Sequence, residues 1–302
     1  MISSGKYKDV SALVLNTGKL IASVLPENGG KLVSLVDTAT GTELLAQAPG
    51  EAYLPIGMDS SYVQGECSAF DDMFPTIDPQ GDGYPDHGEV CRVKHQWNIH
   101  GDTLSLTYRS VLLPYRYEKH FSALADGSLA VDYRIANLSD APLPCLWAGH
   151  IMLAASEGAE VVLPYEQGDG IEICFCENGM LIPGQRTDFR RELAVQAPFK
   201  PDGATYKFYF TQPAAEGKIT YRNYREGLDV TVRYDADVLP YVGVWMNNGT
   251  FKGMYNAAVE MCTAPFDAPA KAEAKGYRSV LPAGGVLSFR LTFSAETMPA
   301  SV

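Results

Sequence analysis

Residues 128–135 read Ser128-Leu129-Ala130-Val131-Asp132-Tyr133-Arg134-Ile135. Leu129, Val131, Tyr133 and Ile135 alternate with Ser128, Ala130, Asp132 and Arg134. Successive side chains of a strand point to opposite faces, so this run has one face for a core and one for polar surroundings. The same period of two returns in Leu104, Leu106 and Tyr108, in Leu228, Val230, Val232 and Tyr234, and in Leu287, Phe289, Leu291 and Phe293. Turn residues separate the runs: Gly101-Asp102 reads as a hairpin, and Ala125-Asp126-Gly127 and Asn137-Leu138-Ser139-Asp140 do similar work. Gly29-Gly30, after Pro26-Glu27-Asn28, reads as a strand turn. Convincing helical stretches are scarce, and 28 Gly with 19 Pro suit many turns. Repeats, charge blocks and linker-like segments are absent. The expectation is an all-β chain, a single domain over residues 1–302, with antiparallel strands in two large sheets packed face to face.

Composition narrows the function classes. With 46% hydrophobic residues the 302-residue chain has ample material for a large core. A formal net charge of -12 argues against nucleic acid and against an anionic membrane surface, since both favour Lys and Arg. No apolar run approaches the roughly 18 residues of a membrane span, and no apolar segment follows the opening MISSGKYKDV. The expectation is therefore a cytoplasmic protein whose six cysteines (67, 91, 145, 174, 176 and 262) are free thiols. Cys174-Phe175-Cys176 is the only close pair, and no second pair completes a zinc-site spacing.

Two stretches look irregular. Residues 46–86 are rich in Gly, Pro, Asp and Ser around the apolar block Met73-Phe74-Pro75-Thr76-Ile77, and residues 177–203 look loop-like. Long loops of this kind are often functional, and otherwise vary freely at a surface.

Three ionisable residues stand out. His87 lies in Pro85-Asp86-His87-Gly88-Glu89, just before an expected strand over 89–99, and its near-neutral pKa suits binding and proton transfer or a plain surface role. His150 follows Trp147-Ala148-Gly149; in a strand, Leu146, Ala148, His150 and Met152 share a face of otherwise small, apolar residues. That imidazole is either a satisfied core group or a proton donor facing a pocket. Glu260 shares a strand face with Ala258 and Cys262. A carboxylate there is costly unless partnered, open to a site, or on an exposed edge, and partial burial would raise its pKa towards a useful general base.

Other residues carry weaker signals. Asp71-Asp72 cannot point the same way in an extended segment, so one could reach a ligand hydroxyl while the other caps a turn. Trp245, at a strand end, could cover the apolar face of a sugar or lie in the core. His95, His100 and His120 read as surface or structural. No serine sits in a nucleophile elbow, and no phosphate-cradling glycine loop precedes a helix.

These pieces, in this order, resemble the aldose 1-epimerase (galactose mutarotase-like) superfamily. The resemblance is carried by residues 25–32, by Asp71-Asp72-Met73-Phe74-Pro75-Thr76-Ile77 with Pro85–Glu89, by Asp132–Asn137 with Trp147–His150, and by Pro240–Trp245 with Ala258–Thr263. It implies a large twisted β-sandwich, a neutral or mildly polar sugar as partner, and no metal or organic cofactor. The family opens and recloses a sugar ring, interconverting α and β anomers. The resemblance would make Glu260 the base that takes the C1 hydroxyl proton and His150 the acid that protonates the ring oxygen, with His87 binding and polarising near that oxygen. The chain departs from typical members in lacking an early Asn-Arg motif and in having Gly149 where an Asn precedes the second histidine. Three alternatives accompany this reading. One is a non-catalytic carbohydrate-binding or sensing protein. Another is a sugar-phosphate mutarotase with a cationic patch at Arg92 and Lys94. The last is a lyase or hydrolase using Asp72 with Glu260 as its carboxylate pair.

Overall fold

The alternation of residues 128–135 becomes the strand Leu129–Asn137, inside an eight-stranded antiparallel sheet. Its neighbours are Tyr115–Ala123 and Val286–Thr297, and the register sets Val131 beside Phe121 and Leu291, all buried. The other strands run outward in the order Thr103–Arg109 and Gln96–His100 on one side, Leu228–Arg233, Lys218–Asn223 and Glu160–Val162 on the other. The expected hairpin turn at Gly101-Asp102 joins Gln96–His100 to Thr103–Arg109. The computed structural model describes residues 1–298. Among these residues no helix is long and apolar enough to cross a membrane, and the one α-helix is the short Pro269–Ala274.

An eleven-stranded sheet packs against the first. Its centre reads, in spatial order, Lys31–Asp37, Phe70–Met73, Ala148–Ala154, Tyr255–Cys262, Tyr241–Asn248, Thr205–Phe210 and Gly170–Glu177. Alternation decides what each face does. Phe70, Ile151, Val259, Val244 and Phe208 point into a core shared with the eight-stranded sheet. Met73, Ala148, Met152, Ala258 and Cys262 point the other way, under loops carrying Tyr62, Cys91 and Phe266 and under the helix Pro269–Ala274. The all-β sandwich expected from the sequence is thus the observed fold.

Two local expectations are corrected. The segment 89–99 is not one strand: Val90–Arg92 is a 3-10 turn, and the strand begins only at Gln96. Glu89 is responsible in part. Its buried carboxylate accepts hydrogen bonds from Tyr108 (2.6 Å), Ser110 (2.5 Å) and Tyr115 (2.7 Å), which pulls the chain towards the eight-stranded sheet instead of extending it. The irregular stretch 46–86 contains a central strand, Phe70–Met73, with all four residues buried. Its two aspartates make it look like a loop in sequence, yet each meets a buried lysine: Asp71 pairs with Lys31 at 2.5 Å and Asp72 with Lys119 at 2.6 Å. Residues 177–203 are loop-like apart from the edge strand Arg186–Asp188 and a 3-10 turn at Arg191–Ala194.

Candidate active site

The outer face of the eleven-stranded sheet is built in rows, because side chains at matched register positions stand side by side. Ala148 pairs with Cys262 and Ile151 with Val259, so His150 falls opposite Glu260. Glu260 pairs with Gly243, Gly243 with Tyr209, and Tyr209 with Glu172. On the other side His150 pairs with Asp71. One row therefore carries Asp71, His150, Glu260, Gly243, Tyr209 and Glu172 across five neighbouring pairs of strands. The next row carries Met152, Ala258, Trp245, Lys207 and Phe175. From these rows His150, Glu260, Glu172, Trp245, Lys207 and Phe175 line a cavity of about 460 Å³, which His87 enters from the loop above.

Glu260 is the centre of this arrangement. Its Oε1 lies 3.3 Å from His150 Nε2, and its Oε2 lies 2.7 Å from Lys207 Nζ and 2.9 Å from the Tyr209 hydroxyl. Lys207 and Tyr209 also each reach Asp267 Oδ1 at 2.7 Å. Gly243 makes this possible: a Cβ there would stand 2.5 Å from the Tyr209 ring, which lies across it towards Glu260. Burial alone would push the Glu260 carboxyl up, but the Lys207 charge and His150 outweigh it and hold the group well below the ordinary carboxylate range. Burial would likewise lower Lys207, yet Asp267 and Glu260 together raise it. Glu260 is thus an ionised carboxylate with one oxygen tied down. The other, Oε1, is buried and finds no group in hydrogen-bond geometry among the described residues; His150 is near it but not aligned with it.

The two histidines face each other edge to face, with ring centroids 5.9 Å apart. His87 stacks on Tyr62 at 4.1 Å. It adopts a left-handed backbone (φ 59), followed by Gly88 at φ 76, where a Cβ would collide with the Phe74 carbonyl at 2.3 Å. Its Nδ1 lies 2.7 Å from Asp86 Oδ1. Burial holds the His87 pKa below its usual value; Asp86 opposes that shift and His150 adds to it. In the neutral ring Nδ1–H donates to Asp86, which leaves Nε2 as a hydrogen-bond acceptor. His150 Nδ1 lies 3.5 Å from the Tyr62 hydroxyl, which gives its own proton to Asp71 Oδ2 at 2.8 Å.

The structure thus brings His87, His150, Glu260 and Trp245 into one cavity wall. It does not place Asp71 or Asp72 there. Asp71 sits behind Tyr62 and Lys31. Asp72, on the opposite face of its strand, binds Lys119 and accepts from Tyr133 at 2.9 Å. Asp72 therefore cannot pair with Glu260 across a glycosidic bond. Arg92 and Lys94 do not form an anion site either. The Arg92 guanidinium is spent on loop carbonyls, among them Ser60 at 2.7 Å and Gly88 at 3.0 Å, and Lys94 pairs with Glu27 at 2.5 Å. His95 is structural, buried against Tyr108. Sequence reasoning missed Tyr62, Lys207, Tyr209 and Asp267. A signal did exist for two of them: Thr205-Tyr206-Lys207-Phe208-Tyr209-Phe210 alternates, so a lysine and a tyrosine share a face.

No protein-family model and no curated protein sequence matches the chain. Solved structures do. A candidate aldose 1-epimerase from Klebsiella pneumoniae superposes with a TM-score of 0.73 at 16% identity, over 96% of this chain and 81% of that one. A second candidate aldose 1-epimerase, from Escherichia coli K12, gives 0.68 at 17% identity, over 94% and 98%. A galactose mutarotase-like protein from Clostridium acetobutylicum gives 0.62 at 14%, over 99% of both chains. The chain therefore has the galactose mutarotase-like β-sandwich fold.

Proposed function

We propose that this protein is a sugar mutarotase, an aldose 1-epimerase-like isomerase that interconverts α and β anomers. The observation that carries the reading is the buried, unpartnered Oε1 of Glu260 beside His150 in a cavity wall. A buried acceptor without a donor costs free energy, and a sugar hydroxyl supplies the missing donor. The C1 hydroxyl would donate to Oε1 and lose its proton there. His150, protonated, would give a proton to the ring oxygen, so the ring opens without net charge leaving the site. Rotation about C1–C2 and the reverse transfers close the ring on the other face. Tyr62 suits this role for His150: its own proton goes to Asp71, so its oxygen is free to accept from Nδ1–H and leave Nε2 for the substrate. His87, with Nε2 as acceptor, would hold a sugar hydroxyl rather than polarise the ring oxygen.

A second reading is a non-catalytic sugar-binding protein on this fold. It is favoured by the Lys207 contact, which lowers the basicity of Glu260. A sugar phosphate fits less well, because Lys271 and Lys275 in the cavity wall are each engaged by a carboxylate, Asp78 and Glu172. Six unpaired cysteines suit a reducing compartment such as the cytoplasm.

The test is magnetisation transfer between the α and β anomeric protons of a panel of reducing sugars. Wild-type protein should accelerate exchange. Glu260→Gln and His150→Ala should each lose about 10²–10⁴-fold, the usual worth of a positioned base or acid. Line broadening without exchange in wild type would overturn the enzyme reading and leave the binding protein.

A further inference from the structure

The cavity extends well beyond the acid–base row, and its far end is built for a ring of its own. Trp245 and Phe175 lie one row on from Glu260, stacked at 5.3 Å with their planes 24° apart, and Phe251 meets Trp245 edge-on at 5.1 Å. One row further stands Asn256, which lines the same cavity and is 2% exposed. Its amide is oriented by a chain of bonds. Asn247 Oδ1 accepts from Thr205 Oγ1 (2.9 Å) and from the Gly249 backbone N–H (3.1 Å), so Asn247 Nδ2 must donate, and it does so to Asn256 Oδ1 at 3.1 Å. That fixes Asn256 Nδ2 as the free end of the amide, a buried donor with no partner among the described residues.

Asn256 and Glu260 are four residues apart on one strand, roughly 13 Å at about 3.3 Å per residue. A single pyranose engaged at Glu260 and His150 is too short to reach the Asn256 amide. A second ring bonded to the first spans the gap. Aromatic faces with one directed amide donor are the chemistry that recognises a sugar ring: the rings cover its C–H face and the donor meets a hydroxyl. Lys207, in the same row, turns back to Glu260 and Asp267 and puts no free charge into this end.

We infer that Trp245, Phe175 and Asn256 form a second glycosyl subsite, and that the substrate is the reducing end of a disaccharide or short oligosaccharide. This rests on the mutarotase reading for its catalytic half and on the unpartnered amide and aromatic wall for its binding half.

The experiment compares glucose and galactose with maltose, cellobiose and lactose, by anomer exchange and by calorimetric binding. Wild type should favour at least one disaccharide over its parent hexose by about tenfold or more in kcat/KM, the worth of one good hydrogen bond with stacking. In Asn256→Ala and in Phe175→Ala that ratio should fall towards one. Phe175→Ala keeps the inference testable if the buried Asn256 variant fails to fold. Equal turnover of hexoses and disaccharides, or a ratio unchanged in both variants, overturns the subsite. If no sugar is anomerised, the mutarotase reading fails, and binding decides the subsite. Tighter disaccharide binding that both variants lose and Glu260→Gln retains upholds it; equal affinities overturn it.

Discussion

At the scale of single residues, Lys207 decides the character of the site. It holds two carboxylates, the buried Glu260 and the half-buried Asp267, each 2.7 Å away. Lys207→Met would leave both without their cation, and breaking such a buried pair costs about 3–5 kcal/mol. The pH dependence follows from the sign of the Glu260 shift. Its folded-state pKa lies below the unfolded value of 4.5, so its ionisation stabilises the fold above that pH, and the contribution disappears as pH falls through the depressed folded value. Without Lys207 the carboxyl rises. The stability deficit of Lys207→Met in urea titrations should therefore be largest near neutral pH and shrink as pH falls towards the range in which Glu260 takes up its proton. On the mutarotase reading, any remaining anomer exchange should show its acidic limb at higher pH, because Glu260 becomes the stronger base and protonates sooner. An unshifted limb would mean that Lys207 does not set the basicity of Glu260.

At the scale of elements, the strand Tyr241–Asn248 contributes a gap rather than a group. Gly243 sits between Tyr209 and Glu260 in register, and the Tyr209 ring fills the space a side chain would take. Gly243→Ala should cost about 1–3 kcal/mol in urea unfolding, as overpacking does, and should slow exchange by moving Tyr209 off Glu260. An unchanged rate would show that the Tyr209 contact is dispensable. This element also shows what was legible in the sequence. Period-two patterning announced the sandwich, and it put Glu260 and His150 each on a face of small residues. Alternation within Asp71-Asp72 correctly implied opposite directions for the two carboxylates. It could not show that both end on lysines from distant strands, Lys31 and Lys119, because ion pairing across a fold leaves no local pattern. The segment 89–99 turns instead of extending for a similar reason. Glu89 is anchored by hydroxyls 19, 21 and 26 residues away, and those partners override the local preference for an extended chain.

At the scale of the whole molecule, the two sheets meet around a buried charge that the site does not use. Lys119, from the eight-stranded sheet, reaches Asp72 at 2.6 Å and the Gly30 carbonyl at 3.2 Å, and lies 4.8 Å from the centre of the Phe70 ring. Tyr133 donates to the other Asp72 oxygen. Burial raises the Asp72 pKa, and Lys119 only partly offsets it. Lys119→Met should destabilise the protein by about 3–5 kcal/mol, since it strands a carboxylate between the sheets. A raised carboxyl binds its proton more tightly folded than unfolded, so its stabilising effect is present at low pH and lost as pH rises through the folded value. The single variant should therefore lose less stability at pH 5 than at pH 8 in urea titrations. The double variant Asp72→Leu with Lys119→Met removes both charges and should recover most of the loss, because apolar groups of similar volume replace such pairs at little cost. Anomer exchange below the unfolding temperature should survive in both variants, since Asp72 points away from the cavity. A pH-independent loss, or a double variant as unstable as the single, would show that Lys119 holds the sheets together by its packing against Phe70 and Phe121 rather than by its charge.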